Sequence, residues 1–150
     1  MGEGHHDRRR EGGAVRRRLS HRFSVLRGRY AIARISRRAS VPEWADAARG
    51  AFHSITRTLD ELSVVCAETA VPKSVHAERG WKAIKLLGPF SFDQVGVLAS
   101  VANPLAASGV SIFAVSTFKT DYILVKDDQL GRAVSALKGA GHRRIMERSS

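Results

Sequence analysis

Residues 109–128 read GVSIFAVSTFKTDYILVKDD. Two apolar, β-branched runs flank the polar knot Ser116-Thr117-Phe118-Lys119-Thr120-Asp121. β-branched and aromatic residues suit a pleated, half-buried strand, and Ser, Thr and Asp gather where a chain turns. The stretch predicts one strand over Val110–Phe118 and another over Tyr122–Val125. Two readings fit the knot between them. It is a hairpin turn, or it is a ligand site on the rim of a sheet, with hydroxyls and a carboxylate placed between two core strands.

Working outward, Trp81–Leu87 reads as a strand stopped by Gly88-Pro89. A helix is expected over Phe92–Ser108, with Val95, Leu98, Ala102 and Leu105 on its apolar face and a kink or break at Pro104. After the quoted stretch, Asp128 is placed to cap a last helix. Leu130, Ala133, Val134 and Leu137 form its inner face, Gly139 or Gly141 closes it, and a short strand over His142–Met146 follows. Upstream, Tyr30–Ile35 alternates as a half-buried strand does. Ser40, Pro42 and Glu43 open a short helix that Gly50 ends. Phe52–Thr58 and Leu62–Ala67 are strand-like, and Val71–Ser74 is a linker.

The second half therefore follows the order β-α-β-β-α-β, the ferredoxin-like plan. The first half repeats it in part. ITRTLDELSVV (Ile55–Val65) lies over VSTFKTDYILV (Val115–Val125) at an offset of 60, so that Thr56 meets Ser116 and Glu61 meets Asp121. Tyr30 meets Trp81 and Ile35 meets Leu86 at an offset of 51. The expected fold is α+β, a full C-terminal βαββαβ unit preceded by a truncated copy, with antiparallel sheets and helices on one face. The expected divisions are a disordered basic tail over 1–21, a truncated unit over 22–75 and a full unit over 76–150.

The chain of 150 residues carries a formal net charge of +11, distributed unevenly. Residues 1–40 hold 12 Arg against Glu3, Asp7 and Glu11, whereas residues 41–150 hold 13 Lys and Arg against 11 Asp and Glu. The surplus sits on an arm without apolar periodicity, which a low-hydrophobicity, high-charge composition leaves unfolded. Such an arm binds anionic polymers weakly through counterion release, but a near-neutral folded part makes nucleic acid an unexpected partner. The arm lacks the apolar core of a secretory signal. The uncharged run Gln94–Phe118 is interrupted by Asn103-Pro104 and Ser108-Gly109, so no membrane span is expected. Cys66, the single cysteine, excludes an internal disulfide and fits a reducing, cytoplasmic setting; beside Ser63-Val64-Val65 it reads as a small buried hydrophobe.

Catalytic signatures are missing. The histidines do not show metal-ligand spacing. There is no phosphate-cradling glycine loop after a strand, no nucleophile elbow and no carboxylate pair with an acid/base assignment. The expectation is a non-enzyme without cofactor or metal.

The strings TLDELSVV (Thr58–Val65) and STFKTDYILV (Ser116–Val125), within a stretch from about Arg29 to His142, resemble the bacterial members of the CASTOR-type ACT domain family, whose animal relatives are arginine sensors. The resemblance implies a ferredoxin-like ACT fold in tandem, whose modules bind amino acids at their interfaces and regulate a protein partner rather than catalyse; the free sheet edges of such modules predict a homodimer. It implies ligand contacts at Ser91, Phe92 and Gln94 before the helix, at Ser111 and Ile112 at the start of the following strand, and at Thr117, Phe118 and Asp121 in the hairpin. Gln94 stands where the arginine site of the relatives has a carboxylate, and Ser91 where it has a glycine. Without that carboxylate a guanidinium loses a bidentate partner, so arginine is not the favoured ligand. Two alternatives remain: a protein-interaction module without a small-molecule ligand, and a weak RNA binder acting through the Arg-rich tail.

Overall fold

A computed structural model describes residues 20–46, 50, 52–88, 90 and 94–146. The strands are β1 (Arg22–Val25), β2 (Tyr30–Ile35), β3 (Ser54–Arg57), β4 (Leu62–Ala67), β5 (Ala77–Leu86), β6 (Phe113–Ser116), β7 (Asp121–Lys126) and β8 (Arg143–Arg144). The helices are α1 (Glu43–Asp46), α2 (Val97–Ala107) and α3 (Leu130–Gly139), with single 3-10 turns at Glu68–Ala70 and Asp127–Gln129. The expected α+β class and the order of the central elements hold. The basic tail before residue 20 lies outside the described residues.

The repeat is real, and its register differs from the sequence alignment. Arg57 pairs with Leu62 and Ser116 with Asp121, each the last pair before a four-residue turn. The hairpins therefore superpose at an offset of 59, not 60, and the two 3-10 turns follow at the same offset. Glu61 is thus the counterpart of Thr120 rather than of Asp121; its carboxylate lies 3.4 Å from Arg34. A slip of one residue turns every side chain to the other face, so a second Asp121-like site at Glu61 is not formed. The offset of 51 holds, since Arg34 faces Ser63 as Lys85 faces Tyr122.

Strand alternation sorts the core into three clusters. On one face of β5 and β7, Ile84, Leu86, Ile123 and Val125 pack under α2 and α3 with Val101, Leu105, Ala133 and Leu137. Ala31, Ala33, Val64 and Cys66 pack with Ala45 of α1. The opposite faces meet in a central cluster of Tyr30, Val65, Trp81, Ala83 and Leu124 with Phe52. Sheet order runs β3-β4-β2-β5, with β7 on the other side of β5. A flat sheet would hold β3 and β7 about 19 Å apart, yet Phe52, just before β3, stacks on Tyr122 of β7 at 4.1 Å. The sheet is curled onto its own apolar face, with the helices outside.

Three local expectations are corrected. The strand expected at His142–Met146 forms as β8, but it pairs in parallel with β1, and β1 stands between it and β5. The place beside β5 is taken by the first strand because Phe23 inserts into the helix-covered core, 1% exposed. In α2 the buried residues are Val97, Val101 and Leu105, while Val95 is exposed and precedes the helix; the apolar face is therefore rotated from the one expected. Asp128 does not cap α3 but lies within the 3-10 turn before it.

Pro104 does not break α2. It lacks the N–H that would serve the Ser100 carbonyl four residues earlier, and His142 Nε2 takes that carbonyl at 2.8 Å. The other ring nitrogen, Nδ1, accepts the His21 backbone N–H at 3.0 Å, which makes Nε2 the protonated, donating nitrogen. His142 thereby ties the entry of β1 to α2. Cys66 is fully buried, and burial pushes its thiol up from the ordinary value. Among the described residues no helix is long and apolar enough to cross a membrane.

Candidate functional site

The β6–β7 turn is closed by its own hydroxyl. Thr117 donates its backbone N–H to the Thr120 carbonyl at 2.8 Å. Its Oγ1 donates to the same carbonyl at 3.1 Å and accepts the Thr120 N–H at 3.4 Å. Thr58 does the same in the first hairpin, accepting the N–H groups of Asp60 and Glu61 at 3.1 and 3.2 Å. This is the side-chain turn that Thr favours, and it consumes the Thr117 hydroxyl. The turn is moored to the sheet by Thr120, 7% exposed, whose Oγ1 donates to the Leu86 carbonyl at 2.6 Å.

Gly88 fits the turn against the end of β5. A Cβ there would stand 2.9 Å from the Phe90 nitrogen and 3.0 Å from the Lys119 carbonyl, both backbone atoms. Gly96, at φ 81°, then turns the chain into α2 in a conformation that side chains avoid. Between this connection and the turn lies a cleft of about 230 Å³ lined by Phe90, Gln94, Val97, Ser116, Thr117, Phe118, Lys119, Thr120 and Asp121. Asp121 accepts the Ser116 hydroxyl on Oδ1. Among the described residues no hydrogen bond or ion pair engages Oδ2. Phe90 also packs edge-on against His21 at 5.2 Å, and His21 stacks on His142 at 5.7 Å. Burial first, and then His142 beside it, hold the His21 imidazole below its ordinary value.

Of the residues expected at a site, Gln94, Thr117, Phe118 and Asp121 come together in this cleft. Ser111 and Ile112 do not. They precede β6 at its opposite end, with Ser111 exposed and Ile112 packed on the helix-covered core. Ser91 and Phe92 lie outside the described residues. Sequence reasoning missed Phe90, Val97, Ser116, Lys119 and Thr120 as lining residues. Ser116, Lys119 and Thr120 lay inside the quoted knot, and the clue was that a four-residue turn brings neighbouring residues to the rim of one cleft. Among the described residues no group of His, Cys, Asp and Glu is placed to hold a metal.

A family model described as ACT domain matches residues 76–139, and a second, describing an N-terminal domain, matches residues 28–74. The human cytosolic arginine sensor for mTORC1 subunit 1 is 37% identical over 59 residues, 39% of this chain and 18% of the sensor. The Agobacterium tumefaciens protein Atu0741 is 42% identical, with a TM-score of 0.81 over 87% of this chain and 96% of that one. The chain belongs to the CASTOR-type ACT domain family. It spans less than a fifth of the length of the curated sensors it matches. More distant members of the fold include VC0802 of Vibrio cholerae, 18% identical with a TM-score of 0.66 over 81% of this chain and 91% of that one. An aspartokinase α and β subunit structure is 14% identical with a TM-score of 0.57 over 81% of this chain and 98% of that one.

Proposed function

We propose that this chain is a non-catalytic regulatory protein that binds a free amino acid in the cleft between the β6–β7 turn and α2, at a contact between modules or subunits. The observation that carries the reading is Asp121, which accepts the Ser116 hydroxyl on Oδ1 and lines a cleft that also holds a cation, Lys119. An α-amino acid presents an ammonium and a carboxylate two bonds apart. Oδ2 accepts the ammonium, and Lys119 with the N-terminal N–H groups of α2 receives the carboxylate. Phe90, Val97 and Phe118 cover the apolar part of the ligand.

The sensing role of a relative at 37% identity and the ACT match support this reading. Arginine is not favoured, since Asp121 is the one carboxylate among the described lining residues. The proposed divisions are units over 22–75 and 76–150 with a basic tail over 1–21, and the proposed compartment is the cytoplasm.

Ser91 and Phe92 contact the ligand from the connection before Gln94. Ser111 and Ile112 stand at the other end of β6 from Asp121, so they reach the same ligand only from a second copy. β6 pairs only with β7 among the described strands, and an unpaired edge accepts another strand. Antiparallel pairing of two β6 edges across a twofold axis sets the start of one strand beside the end of the other. A homodimer built this way brings Ser111 and Ile112 to the partner's cleft.

The test is a thermal-shift scan of the full chain against the twenty amino acids, with sedimentation of the same samples. A ligand at about 100 times its Kd adds roughly 2.7 kcal/mol, a rise of several degrees at this size. A rise with one or two amino acids is expected, in a dimer. No rise with any amino acid would move the assignment to a protein-interaction module.

A further inference from the structure

The sequence concentrates its cations in the arm, but a charge count does not show where the remaining ones stand. Ser24 faces Lys85 in the β1–β5 pairing, and Arg22, two residues away, lies on the same face. Arg22 and Arg143 are direct partners in the parallel β1–β8 pairing, so their side chains share that face as well. Lys85 and Lys119 line a cavity of about 440 Å³ with Leu87, Gly88 and Thr120. One face of one end of the sheet thus carries Arg143, Arg22 and Lys85 from β8, β1 and β5, with Lys119 of the β6–β7 turn beside Lys85 at its edge.

None of these four side chains has a carboxylate partner among the described residues; the ion pairs there are Arg29–Asp127, Arg34–Glu61 and Lys126–Glu78. Asp121 belongs to the other face of β7, since it alternates with Tyr122, the partner of Lys85. Like charges placed directly opposite on neighbouring strands are destabilising. The Arg22–Arg143 pair, on strands about 4.8 Å apart, and Lys85, on the diagonal from Arg22, are relieved together by a ligand with several closely spaced anions.

We infer that this row is a phosphate-binding track for a nucleic-acid strand. A strand is favoured over a single phosphate because the row continues in sequence. Arg16, Arg17 and Arg18 stand four to six residues before Arg22 in the sequence, and Arg8, Arg9 and Arg10 lie further along the arm. The contact is to the backbone and carries no base readout. Arg22, Arg143 and Lys85 lie on the opposite sheet face from the Asp121 carboxylate, and only Lys119, which lines both openings, is shared with the amino-acid cleft.

The experiment is fluorescence polarisation of the full chain with a labelled 20-nucleotide single-stranded RNA across a salt series. It is repeated with the double variant Arg22→Ser/Arg143→Ser and with Lys85→Gln. Each phosphate contact contributes about 0.7 to the slope of log K against log salt for a single strand. The double variant is expected to lower the slope by about 1.4 and to bind on the order of tenfold or more weaker at 0.1 M salt, and Lys85→Gln to lose about half as much slope. Unchanged slopes in both variants would overturn the inference, since binding would then belong to the arm alone. Binding to vesicles of anionic phospholipid but not to RNA would overturn it as well.

Discussion

Asp121 was singled out in the sequence because a carboxylate between two core-forming runs needs a reason, and the structure pairs it with Ser116 and sets it in the lining of a cleft. Ser116 occupies one oxygen, and among the described residues no hydrogen bond or ion pair engages the other. Thr117 was legible only as half of the answer: its hydroxyl closes the turn, so the hairpin reading accounts for it fully. Gly88 and Thr120 were not legible, because what makes them matter is the approach of a residue some thirty positions away. A Gly88→Ala change sets a Cβ against two backbone atoms that cannot rotate aside. It is expected to cost about 1–3 kcal/mol, measured by urea unfolding, and to weaken ligand binding by tilting the turn. Thr120→Val removes the buried bond to Leu86 and strands a carbonyl. A loss of about 1–3 kcal/mol is expected by the same measurement.

The strands of the two hairpins were readable from apolar alternation, and β4 matches its expected bounds, Leu62–Ala67. Helix faces and strand neighbours were harder. The apolar residues of α2 admit more than one stripe, and packing under α3 selects Val97, Val101 and Leu105. The run RFSV at Arg22–Val25 carries two apolar residues and follows a basic arm, so nothing local marks it as the strand that lines β5. Phe23→Ala tests that placement. It is expected to destabilise by about 3–5 kcal/mol and to speed amide exchange in β5 and β7; unaltered exchange there would contradict the pairing. At the same entry point burial, and then His142, hold the His21 imidazole below its ordinary 6.5. Falling pH protonates the unfolded chain first, so this contribution is full above about pH 6.5 and is lost as the pH falls through the lower folded-state value. The urea midpoint is expected to fall between pH 7.5 and 5, and His21→Gln to shrink that fall.

In the whole molecule, the tandem organisation was visible because two copies of one pattern leave a period in the sequence. The one-residue error in that period came from aligning similar letters across a turn, whereas backbone pairing aligns strand ends. The curl of the sheet, which buries Tyr30, Trp81 and Leu124 in a shared interior, depends on contacts between distant strands and has no local signature. Its consequence for function is that both sheet faces are committed along most of their length. Both proposed sites therefore lie at the end of the sheet, where the turn, the β5–α2 connection and the entry of β1 converge. The proposed amino-acid cleft and the cationic row occupy the two sides of that end.

The central claim is that Asp121 holds the ammonium of a bound amino acid. It is tested most directly by calorimetric titration of the full chain and of Asp121→Asn with whichever amino acid raises the unfolding temperature. Replacing a charged acceptor by a neutral one removes a charge-assisted bond worth about 1.5–3 kcal/mol. The expected result is saturable heat with the native chain and binding on the order of 10- to 100-fold weaker in the variant. Superimposable isotherms for the two proteins would contradict the claim and place the ligand elsewhere.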